Sequence, residues 1–219
     1  MTVRLIGITK PVVDDVPGPA ELLAYCARVS SAANQNHHET GGKLLRSLVR
    51  RKEWSPFEQV SLTMEIVTTR DIARQILRHR SFSFQEFSQR YAVVDDEPVF
   101  REARMQHATD RQMSVANDNT ELAAEWEAMQ NQANMYARGA YTWALKRGIA
   151  KEVARAVLPE GLTPSRLFMA GTLRSWLHYV WLRDDSKTQL EHQRIAAAAR
   201  EILCEQYGDL RDVIMGEAA

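Results

Sequence analysis

Alternation of apolar and polar positions is clearest between Val60 and Thr68. Val60, Leu62, Met64 and Ile66 point one way, and Ser61, Thr63 and Glu65 the other. That is the period of a half-buried β-strand. From Arg70 the period changes to that of a helix. Ile72, Ala73, Ile76 and Leu77 share one side, while Arg74, Gln75, Arg78 and His79 share the other. Upstream, Val3 to Thr9 reads as a short strand ended by Pro11. Ala20 to Val29 reads as a helix after the turn Pro17-Gly18-Pro19, and Gly41-Gly42 precedes a helical stretch with Leu44, Leu45 and Leu48. Ser81 to Tyr91 is polar and aromatic and reads as a loop. Ala92 to Asn117 has no period.

Helices dominate the second half. Asp118 with Glu121 resembles a capping box. The helix that follows carries Leu122, Trp126, Met129, Ala133, Tyr136, Ala140 and Trp143 at alternating spacings of four and three, and Gly148 ends it. That stripe suits packing between subunits or an ordinary core face equally well. Lys151 to Leu158 reads as a short helix stopped by Pro159. Thr163-Pro164 has the form of a cap with proline at the first helical position, opening a long helix to about Arg183. A last helix is expected from about Thr188 to Tyr207. The fold class is therefore α+β: a small early β-sheet with several helices, and long helices in the C-terminal half. We expect one domain over residues 1–219.

Composition narrows the possible functions. Lys+Arg and Asp+Glu are both 28, so net charge is zero. A protein that tracks nucleic acid non-specifically carries a basic excess, so an anionic ligand here must meet a local cluster. The two cysteines, Cys26 and Cys204, do not make a disulfide scaffold, sit in no motif, and are expected to be small buried residues. With no apolar run of membrane-spanning length and no signal-peptide pattern at the N-terminus, a cytoplasmic location is expected. His37-His38 lacks the spacing of a metal site, and no metal is expected. His107 and His192 carry no motif and are placed on surface segments.

The chemistry concentrates between Arg70 and Arg90. Five arginines (70, 74, 78, 80 and 90) face two acids, Asp71 and Glu86. Arginine offers a planar fork of donors suited to phosphate. Arg78-His79-Arg80 is followed after seven residues by Ser88, with Ser83 and Glu86 between and Arg90-Tyr91 closing the block. This pattern resembles the signature of the flavin-dependent thymidylate synthases. Further blocks extend the resemblance in order from about residue 20 to about 205. They are Ala27-Arg28-Val29-Ser30, Ser55-Pro56-Phe57-Glu58, Glu152 to Arg155, Val157-Leu158-Pro159, Leu173-Arg174-Ser175, and Leu182-Arg183 before Asp185-Ser186.

The resemblance implies reductive methylation of dUMP to dTMP. FAD reduced by NADPH is the hydride source, methylenetetrahydrofolate the carbon donor, and a homotetramer with shared active sites the assembly. It assigns FAD contacts to Ser30, Ser55, Glu58, Arg78, His79, Arg80, Glu86, Thr172, Leu173, Arg174 and His178. It assigns dUMP contacts to Gln75, Arg78, Glu86, Phe87, Ser88, Gln89, Arg90, Arg155 and Arg183. Arg183 matches an arginine that favours ionisation of the uracil ring at N3. Arg183 and Ser88 are the candidates for a direct part in the chemistry. No histidine is near Ser88 in sequence to act as base, so Ser88 is expected to orient dUMP rather than attack it.

Some positions depart from the family pattern. Glu53 and Gln59 stand where histidines are common, Gln85 and His178 where asparagine is common, and Lys187 where some members carry histidine. Glu53 and Gln59 keep open a chain that binds flavin without turnover. A nucleic-acid-binding helical domain is the third reading, and net neutrality counts against it. Arg174 and Arg183 lie nine residues apart, on opposite sides of any continuous helix. Either the helix ends before Arg183 or the two arginines serve different sites.

Overall fold

A computed structural model describes residues 1–217. The N-terminal half opens with strand β1 (Thr2–Ile8), helices α1 (Pro19–Ala27) and α2 (Gly41–Arg50), strand β2 (Ser61–Thr69) and helix α3 (Arg70–Ile76). Strands β3 (Ser83–Glu86), β4 (Arg104–Gln106) and β5 (Ser114–Ala116) follow. Then come α4 (Thr120–Lys146), α5 (Lys151–Ala154), β6 (Pro164–Thr172), α6 (Leu173–Arg183), α7 (Leu190–Gln206) and α8 (Arg211–Ile214). β1, β2, β6 and β3 form an antiparallel sheet in that order, and β4 with β5 forms a separate hairpin. The α+β class expected from the sequence is the one observed.

β2 behaves as its alternation requires: Leu62, Met64 and Ile66 are buried. Its partner is a surprise. Residues 164–172, read above as the first turns of a long helix, are a strand paired with β2 from Ser61↔Thr172 to Thr69↔Pro164. Ser165, Leu167 and Met169 are buried and alternate with Arg166, Phe168 and Ala170, a period of two hidden behind the Thr163-Pro164 signal. Proline is tolerated at the first residue of a strand. The true helix start is Thr172, whose Oγ1 accepts the Ser175 N–H at 3.3 Å. Other boundaries shift for similar reasons. β3 lies inside the expected loop, pairing with β6 from Ser83↔Ala170 to Glu86↔Leu167. The cap of α4 is Asn119 rather than Asp118, accepting the Leu122 N–H at 3.1 Å.

One core joins the apolar sheet face to helices α1, α2, α3, α6, α7 and α8, with Trp176, Tyr179, Tyr207 and Phe57 its largest fully buried side chains. A smaller cluster of Val94, Tyr141, Ala144, Ala154 and Leu158 ties α4 to the segments on either side. The aperiodic stretch after Tyr91 is held by side chains. Gln130 brackets the Arg101 backbone, accepting from its N–H at 2.7 Å and donating to its carbonyl at 3.0 Å. Arg138 donates to Val94 O, and the Tyr141 hydroxyl accepts the Val94 N–H. The α4 stripe is mostly bare: Leu122, Trp126, Met129, Tyr136 and Trp143 are 37%, 43%, 55%, 68% and 55% exposed. Cys204 is buried, whereas Cys26 is only half-buried.

Two outcomes follow from this packing. A Cβ on Gly171 would stand 2.4 Å from the Phe82 ring, which packs edge-on against Trp176. Gly171→Ala should therefore lower stability by roughly 1–3 kcal/mol, read as Tm by calorimetry; an unchanged Tm would contradict this packing. The second concerns His192, which is fully buried, contrary to the surface placement expected from sequence. Burial, with the Arg183 and His79 charges adding to it, pushes its imidazole down from 6.5 to about 3. The unfolded chain takes up this proton near pH 6.5 and the folded chain refuses it. The contribution is thus complete above pH 6.5 and lost as pH falls toward about 3. Thermal unfolding from pH 7 down to 4.5 should show wild type losing more stability than His192→Leu. Parallel curves would contradict the assignment.

Candidate functional site

α3 and α6 begin at opposite ends of the β2–β6 ladder, and their far ends meet. There Arg183 Nε donates to His79 Nε2 at 2.9 Å. Burial, reinforced by the Arg183 and Arg78 charges, pushes His79 down to about 4. A neutral imidazole with its lone pair on Nε2 is what Arg183 needs as an acceptor. Tyr179 packs edge-on against His79 at 5.0 Å, and burial pushes its hydroxyl up in pKa. Gln75 joins this corner through His192. The Gln75 Oε1 lies 3.3 Å from His192 Nδ1, and the Tyr179 hydroxyl 3.2 Å from His192 Nε2. Gln75 Nε2 donates to Gln189 Oε1 at 2.8 Å, and Gln189 Nε2 to Glu191 Oε2 at 2.9 Å. Burial acts to raise the Glu191 carboxyl, but the bonds from Arg104 and Gln189, with the Arg101 charge, outweigh it and hold the group low.

A second group surrounds a cavity of about 320 Å³ lined by Arg70, Arg74, Gln89, Glu152, Arg155 and Glu160. Arg74 Nε binds Glu160 Oε2 at 2.7 Å, and Arg90 lies 3.2 Å from Glu152. Glu86 accepts from the Ser165 hydroxyl at 2.7 Å and faces Arg70 at 3.4 Å. Gln89 is 4% exposed, and its Nε2 has no hydrogen-bond partner among the described residues. A buried amide without an acceptor is costly and marks a place where a ligand can supply one. Phe87 turns toward the small α4 cluster.

A third group lies where α6 starts. Arg174 Nη1 is 2.5 Å from Glu58 Oε1, on the short helical turn Ser55–Glu58. His178 stands edge-on to Trp54 at 4.9 Å, its pKa lowered by burial and by Arg174. Leu173 is wholly buried in the core, and its N–H is already bonded to Val60 O. Ser30 is exposed at a separate cavity of about 440 Å³ beside Arg28, His37 and Thr40. Of the histidine pair, His38 is tied locally, with its Nε2 2.6 Å from the Asp15 carbonyl. Glu53 pairs with Arg51 at 2.7 Å, and Gln59 is exposed.

The expected residues thus fall into three neighbourhoods: Gln75, His79 and Arg183 at the meeting of α3 and α6; Glu86, Gln89, Arg90 and Arg155 around the Arg70 cavity; and Ser55, Glu58, Thr172, Arg174 and His178 at the start of α6. Arg78, Arg80 and Ser88 are exposed. Among the described residues neither Arg78, Arg80 nor Arg155 pairs with a carboxylate. Helix α6 reaches Arg183, so Arg174 and Arg183 do lie on one helix, engaged with Glu58 and His79 respectively. His192, Gln189 and Glu191 were missed from the sequence. The available signal was the cluster of Gln189, Glu191, His192 and Gln193 at the start of α7, where His192 shares a buried face with Ile195, Ala196 and Ala199.

Comparison with known proteins bears on what these groups serve. A family model described as thymidylate synthase complementing protein matches residues 11–207. A flavin-dependent thymidylate synthase of Synechocystis sp. is 48% identical over 212 residues, covering 94% of this chain and 96% of that one. A probable flavin-dependent thymidylate synthase of Paramecium bursaria Chlorella virus 1 is 44% identical over 207 residues, covering 94% and 95%. The solved structure of the UMP/dUMP methylase PolB from Streptomyces cacaoi bound with 5-Br dUMP superposes with a TM-score of 0.82 at 26% identity, covering 98% of this chain and 94% of that one. Signature, fold and relatives agree, and the chain belongs to the flavin-dependent thymidylate synthase family.

Proposed function

We propose that this chain methylates dUMP to dTMP, taking the carbon from methylenetetrahydrofolate and using FAD reduced by NADPH. The carrying observation is the set of cationic and amide groups left without partners. Among the described residues Arg78, Arg80 and Arg155 have no carboxylate partner, and the Gln89 amide nitrogen is buried without an acceptor. Such groups fit polyanionic nucleotides, and their charge-assisted bonds to phosphate oxygens are the strong kind. Arg78, His79, Arg80, Ser55, Glu58, Thr172, Arg174 and His178 would hold the flavin. FAD, when bound, supplies the hydride that completes the methyl group.

The chain's own residues do the rest. Gln75, Glu86, Gln89, Arg90 and Arg155 bind and orient dUMP. Arg183, held by neutral His79, stabilises negative charge on the uracil ring when N3 gives up its proton. Burial pushes the Cys26 and Cys204 thiols up, away from the thiolate a nucleophile requires. Ser88 is exposed, and its hydroxyl has no hydrogen-bonded base among the described residues, which favours an orienting role. The pairing of Glu53 with Arg51 leaves those functional groups untouched, and a turning-over enzyme is favoured over a silent flavin binder.

Arg174 and Arg183 sit on one helix but engage different partners, Glu58 and His79, which favours active sites shared in a homotetramer. The bare stripe on α4, a helix of 27 residues, gives such an assembly an apolar face. Light scattering should show a tetramer, and Trp126→Glu with Trp143→Glu should dissociate it and abolish turnover. A fully active monomer would overturn the shared site.

Purified protein should be yellow and should form dTMP from dUMP, methylenetetrahydrofolate and NADPH; absence of both overturns the reading. Ser88→Ala should bind dUMP about fivefold more weakly, the worth of one neutral hydrogen bond near 1 kcal/mol, and still turn over. A variant that binds dUMP normally yet forms no dTMP in a single turnover would restore Ser88 as a nucleophile.

A further inference from the structure

We propose that His192 is a positioning residue for the nucleotide site: buried between Tyr179 and Gln75, it fixes which way the Gln75 carboxamide points. The inference rests on the assignment of Gln75 as a dUMP contact made under the proposed function.

The hydrogen-bond chemistry leaves one arrangement. Gln75 Oε1 can only accept, so the hydrogen shared over 3.3 Å sits on His192 Nδ1. In the neutral ring Nε2 then accepts, and the Tyr179 hydroxyl at 3.2 Å donates to it. Burial favours the neutral ring, and its tautomer follows from the acceptor-only Gln75 oxygen facing Nδ1. At the other end, Gln75 Nε2 donates to Gln189 Oε1 at 2.8 Å. Gln189 is anchored to Glu191, which in turn takes the Arg104 guanidinium at 2.6 Å. Gln75 is therefore gripped at both amide ends. Among the described residues one N–H and one carbonyl lone pair of Gln75 have no partner, leaving a donor and an acceptor for a ligand.

Without the histidine, the amide loses the contact that holds its oxygen, and only the Gln189 bond to its nitrogen is left to set its orientation. A rotated carboxamide would present its donor where the acceptor should be. A small imidazole with no contact to the ligand thus sets the polarity of a residue that has one. The same ring lies 6.1 Å from His79, so it also packs against the partner of Arg183.

The test uses purified flavin-loaded protein and measures dUMP affinity, KM, kcat and Tm for His192→Leu, His192→Asn, His192→Gln, Gln75→Ala and the double variant His192→Leu with Gln75→Ala. His192→Leu should raise KM for dUMP about fivefold and leave kcat within about twofold, as expected for one neutral hydrogen bond acting on binding. In His192→Asn the side-chain N–H stands near the position of Nδ1–H, so affinity should recover; in His192→Gln it stands near Nε2 and should not. In the Gln75→Ala background, His192→Leu should add nothing. Additive effects in the double variant overturn the proposal, as does equal affinity in the Asn and Gln variants. Those two polar variants carry the test if His192→Leu fails to fold. Wild-type protein that binds no dUMP overturns the substrate reading and this proposal together. Normal wild-type binding with Gln75→Ala unaffected overturns only the proposal.

Discussion

The antiparallel ladder between β2 and β6 is the constraint on which the rest depends. Nine residues of each strand pair, their inward side chains are buried, and each strand runs straight into a helix. The ladder fixes where α3 and α6 start, and those starts fix where they finish. His79 follows one helix and Arg183 ends the other, so their 2.9 Å contact is set by strand register. A slip of one residue would turn Leu62, Met64 and Ile66 outward and separate the pair. Trp176 reinforces the register by donating from its indole to the Leu62 carbonyl.

Much of this was legible in sequence, because β2 and α3 display clean periods of their own. The failure at residues 164–172 is instructive. Thr163-Pro164 is a good helix start locally, and Leu173 to Arg183 is helical, so the eye joins them. What decides the matter is non-local: the alternating residues of β6 complete the apolar face that β2 alone would leave exposed. β3 escaped notice for the same reason, because a four-residue edge strand gains its identity from its partner. The hairpin β4–β5 and the segment before it are held by Gln130, Arg138 and Tyr141, whose targets are backbone atoms that carry no sequence signature.

The site divides along similar lines. The arginine cluster and Ser88 stand out in sequence because they fall in one short block, Arg70 to Arg90, whose pattern resembles the family signature. His192 was not, since a histidine with polar neighbours looks like a surface residue until α7 folds against Tyr179. Buried polar groups such as Glu191 and His192 leave only a weak trace in sequence: polar residues on a helix face that continues into Ile195, Ala196 and Ala199. Their influence comes from desolvation, which keeps both imidazoles neutral and makes each hydrogen bond directional.

The rims of the sheet have a bearing on how copies of this chain meet. At one rim β1 is irregular between Leu5 and Gly7, and at the other β3 is only four residues long. A broken or very short border offers a poor template for backbone pairing with another molecule. Strand-by-strand growth, the route toward fibrils, is therefore discouraged at both ends of the sheet. The exposed apolar side chains of α4 lie away from these rims, on a helix whose surface can be altered one residue at a time.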